Sequence, residues 1–123
     1  MRKIVCIVGI CFFSVAFTYN SVLAVANCGL LYERFLEWEK QERGEEFTRW
    51  GVMYYFGYVE ASHTWYASIN AQAKGKTGLP ENVTTEQLAR ILGKYLKENP
   101  ELHHKWGVTC FWNAMKEAFP EYD

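Results

Sequence analysis

The sequence predicts a small all-α domain of four helices, folded around one of them that is central and apolar, following a leader peptide that is cleaved away. Three observations predict it. The first 26 residues have the layout of a secretory signal; the stretch from Trp50 to Asn70 is apolar over the whole helical wheel; and the segments on either side carry apolar residues at helical spacing with helix start and stop signals at their ends.

The leader reading rests on order. Met1, Arg2 and Lys3 give a basic start, Ile4 to Phe17 is an apolar run too short to span a bilayer, and Leu23-Ala24-Val25-Ala26 ends in an Ala-x-Ala pattern. We expect residues 1–26 to be removed and a single domain, 27–123, to remain, with no membrane partner after cleavage. Asn27 stands where a lipid-attachment motif at Cys28 needs a small residue, which argues against a lipoprotein. Cys6 and Cys11 leave with the leader, so Cys28 and Cys110 arrive together in an oxidising compartment, and we expect them to pair. Such a bridge closes most of the mature chain into one loop and stabilises it by roughly 4.5 kcal/mol on the chain-entropy account. About 97 residues make one core, small enough to gain from a covalent tie.

The helices follow in order. Leu30, Leu31, Phe35 and Trp38 recur at helical spacing from Leu30 to about Gln41, and Gly44 punctuates the end. The central helix, Trp50 to Asn70, competes with a strand at Met53 to Val59, but its length and lack of a turn signal favour helix. Apolar on nearly every side, it is expected to be covered from several directions. Gly57 and Ala61, four apart, are expected to admit a close-packed neighbouring helix, so that Gly57→Leu would overpack the contact. A loop with two glycines and a proline follows, Lys74 to Val83. Thr84 and Gln87 then form a capping box, Val83 can staple onto Leu88, and Leu88, Ile91, Leu92, Tyr95 and Leu96 make one stripe up to Pro100. Asn99-Pro100-Glu101 reads as the start of a fourth helix that runs to about Phe119 and buries Leu102, Trp106, Cys110 and Ala114.

Charge and motif content narrow the chemistry. Without Arg2 and Lys3 the 13 basic residues fall to 11 against 14 acidic ones, a balance that excludes a nucleic-acid partner. The acidic excess lies in Glu33 to Glu46, read as a solvated helix face with docking as the rival reading. Glu60 and His63 form one Glu-x-x-His pair, whereas a di-iron site needs a second pair and two further glutamates, and His103 and His104 are adjacent and diverge. Neither metal nor cofactor is expected. A disulfide consumes the two mature thiols, and Gly75 and Gly78 lack the Gly-Lys-Ser/Thr ending of a phosphate loop, so no enzyme is expected. Tyr and Trp beyond what a small core can hold suit a protein interface.

Gly57-Tyr58-Val59, Leu79-Pro80, Val83 to Leu88, Lys94-Tyr95-Leu96, Pro100-Glu101-Leu102-His103 and Ala118-Phe119-Pro120, in this order, resemble the Rap/Tai family of type VI secretion amidase immunity proteins. The resemblance implies a helical periplasmic protein, often a homodimer, that binds and blocks a peptidoglycan-cleaving amidase effector. The chain departs from the family pattern at Gly78 and Glu121, where cysteines are usual, and at Ala61, where a second glycine is common, so the family's bridges do not carry over. Occlusion of an enzyme cleft needs a projecting polar segment on a rigid frame, and the loop carrying Lys74, Lys76, Glu81 and Asn82 is the candidate, with a plain linker as the equal rival. A chaperone-like periplasmic binder of an endogenous client is the alternative function, separated from the first by whether the gene neighbours a secreted amidase.

Overall fold

The computed structural model describes residues 26–122. Of the expected leader, all but Ala26 lies outside the described residues. Four helices form: α1 (Cys28–Glu42), α2 (Arg49–Lys74), α3 (Thr85–Glu98) and α4 (Gly107–Ala118), with 3-10 turns at Pro100–Leu102 and Pro120–Tyr122. Among the described residues the one β-type feature is an isolated antiparallel bridge between Asn27 and Trp106.

Local chemistry explains most boundaries. Asn27 caps α1 by accepting the Leu30 N–H on its side-chain oxygen at 2.8 Å, and Leu31, Phe35 and Trp38 form the buried stripe of that helix. The α3 capping box is closed in both directions, Thr84 N–H to Gln87 Oε1 at 2.8 Å and Gln87 N–H to Thr84 Oγ1 at 3.2 Å. Val83 is half-buried against the core beside it.

The central helix differs from expectation in its surroundings. Its buried residues, Gly51, Tyr55, Tyr58, Val59, Ser62, Tyr66 and Asn70, fall on one stripe, while Trp50 and Met53 are 60% and 66% exposed. Three neighbouring helices of 12 to 15 residues cannot sheathe a helix of 26, so its apolar residues on the far side stay uncovered. Gly57 lies on that far side. A Cβ there would meet nothing within 4 Å, so no helix packs closely on Gly57 and Gly57→Leu would overpack nothing. The close approach occurs elsewhere: a Cβ on Gly93 of α3 would collide with the Phe35 ring, and one on Gly107 would lie 2.6 Å from the Tyr58 hydroxyl and 2.8 Å from Leu31 Cδ1.

The fourth helix also starts later than expected. Pro100 opens a single 3-10 turn, the chain bends through His103–Trp106, and α4 begins at Gly107, leaving Trp106 61% exposed rather than buried. The reason lies at the other end of the chain. The first N–H groups of α1 have no intrahelical acceptor, and the bend supplies it: Cys28 N–H donates to Lys105 O and Gly29 N–H to His103 O, both at 2.9 Å. In return Gly107 N–H, itself an orphan at the start of α4, donates to Ala26 O at 2.8 Å. A helix through 100–106 would have kept those carbonyls for itself. Beside this clasp Cys28 and Cys110, 82 residues apart in sequence, form the expected disulfide with a Cα separation of 6.2 Å.

Candidate partner-binding surface

The segment from α2 to α3 is a shaped loop rather than a slack one. Lys74 ends α2, and Gly75 follows in the left-handed region at φ 72°, donating its N–H to Ala71 O at 3.0 Å. Gly78, at φ 75°, lies so close over Asn70 that a Cβ would come within 3.0 Å of its Nδ2. Asn70 is buried and fixed by its own bond to Tyr66 O at 3.0 Å. Leu79 drops into the core, Thr77 Oγ1 donates to Leu79 O at 3.2 Å, and Val83 N–H closes a turn onto Pro80 O at 3.3 Å. Glu81 and Asn82 occupy the outer corner of that turn.

Lys74, Lys76, Glu81 and Asn82 are thus all exposed, on a frame fixed by Asn70, Leu79 and the α3 cap. The structure adds a neighbour that the sequence reading missed. Asn82, with Pro80 and Val83, forms one wall of an apolar groove of about 400 Å³ whose other wall is Gln87, Arg90, Ile91 and Phe119. Phe119 comes from the end of α4, so no local signal linked it to the loop. Arg90 stacks on Trp38 at 4.7 Å and bonds Glu42 of α1 at 2.5 Å and Glu86 at 2.9 Å, and these two carboxylates hold its guanidinium pKa above the ordinary value.

The acidic segment is partly neutralised. Glu37 pairs with Lys40, Glu45 with Arg43 and Glu42 with Arg90. The Lys40 ammonium, and then the Thr48 N–H donating to Glu37 Oε2 at 2.6 Å, hold the Glu37 carboxyl below its ordinary range.

A second uncovered surface runs along α2. At 100° per residue, Trp50, Met53, Gly57, Ala61, Thr64 and Trp65 share about a third of the helical circumference. Arg34 caps the Trp50 ring at 5.2 Å, and Trp65 sets its edge against Trp112 at 5.4 Å.

Of the residues weighed for metal, Glu60 is exposed, His63 half-buried and His104 exposed. His103 is structural: its Nε2 lies 2.9 Å from Leu96 O and its ring 5.0 Å from that of Tyr32. Among the described residues no three His, Cys, Asp or Glu side chains gather into a metal-binding group, and no helix is long and apolar enough to cross a membrane.

The described residues thus form a pinned polar loop on a disulfide-closed helical frame, and the comparison with known families is decisive. The family model of Rap1a immunity proteins matches residues 23–120. The chain belongs to the Rap1a immunity family. No curated protein and no solved structure matches it. Membership makes this Rap1a protein an immunity protein for a secreted effector, and the helices, clasp and loop described above all lie within the matched span.

Proposed function

We propose that this Rap1a protein is exported to the periplasm, where it binds a type VI secreted peptidoglycan amidase and occludes its substrate cleft, protecting the producing cell. It acts by binding and needs no catalytic group, metal or cofactor. The observation that carries the reading is the anchoring of the loop: Leu79 and Gly78 seat it, the capping box holds its far end, and Glu81 and Asn82 project from the turn. A segment already held in one conformation loses little entropy on entering a cleft, so its contacts count almost fully toward affinity. The test takes the amidase that the protein captures from a set of secreted cell-wall amidases. Glu81→Ala with Asn82→Ala, its fold verified by circular dichroism, is expected to weaken inhibition by tenfold or more, about 1.4 kcal/mol. Full inhibition by the folded variant would move the interface to the acidic face of α1, Glu33 to Glu46.

A second copy of the chain is the proposed occupant of the uncovered α2 face. Trp50 and Met53 flank the bare backbone at Gly57, where another helix could approach closely. Light scattering is expected to give a dimer mass for the wild type and a monomer mass for Met53→Glu. A wild-type monomer at high concentration would remove the proposal without touching the first.

A further inference from the structure

We infer that the leader is cut between Ala24 and Val25, so that the mature protein begins Val25-Ala26-Asn27. The inference rests on the export reading above and refines the cut after Ala26 expected from the Ala-x-Ala pattern. Its ground is that Ala26 is a working part of the folded domain. Ala26 is fully buried, and its carbonyl accepts the Gly107 N–H at 2.8 Å, which has no acceptor within its own helix. The fit is mutual, because a Cβ at position 107 would come within 2.9 Å of the same carbonyl oxygen; the glycine there leaves room for Ala26.

A cut after Ala26 has three costs at one place. It deletes the acceptor, uncovers the patch of core that Ala26 fills, and leaves an α-ammonium on Asn27. Asn27 is the N-cap of α1, where the helix dipole already presents partial positive charge. A cut two residues earlier keeps the Ala26–Asn27 peptide bond and carries the ammonium away from the helix end.

The sequence offers that earlier cut. Ala24 supplies the small residue before the scissile bond and Val22 a compact one two positions further back, whereas Ser21, the next small residue upstream, has the bulky Tyr19 in the matching place. Cleavage precedes folding, so it is the needs of the folded product, and not the access of a peptidase, that favour the earlier cut.

The test uses the full 123-residue chain with its own leader, recovered from the periplasmic fraction and read by N-terminal sequencing and intact mass. Val25 is expected as the first residue. Any other processed end overturns the inference, and Asn27 does so most directly while leaving export intact. A chain that keeps Met1 and stays in the cytoplasm overturns the inference and the export reading together. In a second arm, Ala26→Leu removes the small residue needed for a cut after position 26 and leaves Val22 and Ala24 in place, so pulse-labelled precursor is expected to be processed to Val25 at the wild-type rate. Accumulation of the leader-bearing precursor by this variant overturns the inference.

Discussion

Two glycines carry opposite predictions. Gly93 faces the Phe35 ring across the contact between α1 and α3, so Gly93→Ala forces a buried aromatic to move and is expected to destabilise by about 1 to 3 kcal/mol. Gly57 faces open space in a helix interior, so Gly57→Ala is expected to stabilise by about 0.5 to 1 kcal/mol in the monomer. Paired thermal denaturation of the two variants checks both signs. Sequence shows the glycines but not which one has a neighbour, because that depends on where another helix lies. Tyr58 adds an alkaline prediction. Burial pushes its hydroxyl up to about 12 against an ordinary 10.0, so its contribution to stability is complete below pH 10 and is lost as pH rises toward 12. Spectrophotometric titration is expected to show Tyr58 ionising together with unfolding, and Tyr58→Phe to soften the alkaline limb.

Helix ends are where the elements were most and least legible. The α3 start was readable because every group in it, Val83, Thr84, Gln87 and Leu88, lies within six residues of sequence. The signal at Asn99-Pro100-Glu101 is just as local, yet α4 begins at Gly107, since the intervening carbonyls are held by Cys28 and Gly29. The start of α2 shows a similar long reach. Thr48 makes no side-chain cap there, and its N–H is satisfied from α1 by Glu37. The Glu37 pKa is lowered in the folded state, so the contribution of this carboxylate is present above the ordinary value of 4.5 and is lost as pH falls below it. Glu37→Gln is expected to flatten the acid limb of the stability profile, read as chemical denaturation midpoints between pH 3 and 6. An unchanged limb would mean that other carboxylates dominate it.

At the scale of the molecule the disulfide and the loop have different standing. The pairing of Cys28 with Cys110 was legible by elimination, given the expectation that Cys6 and Cys11 leave with a leader. The loop was legible as an exposed polar segment, but its groove was not, because Phe119 reaches it from the far end of the chain. Cys28→Ser with Cys110→Ser is expected to lower stability by roughly 2 to 4 kcal/mol in urea titration, as is reductant applied to the wild type. Identical midpoints would show that the hydrogen-bonded clasp alone holds the ends together.

That clasp sets an order of events. Synthesis proceeds from the N-terminus, so Cys28 is made first and its partner follows 82 residues later, on the order of ten seconds at ordinary elongation rates. Until His103 and Lys105 are made, the opening turn of α1 has neither its acceptors nor its covalent partner. Helices α2 and α3 can form meanwhile from local contacts, but the frame that presents the loop stays open at both ends until α4 arrives. A chain that ends between Asn99 and Cys110 therefore carries the whole loop, with its local anchors on Asn70 and the α3 cap, on a frame whose two ends are not yet joined.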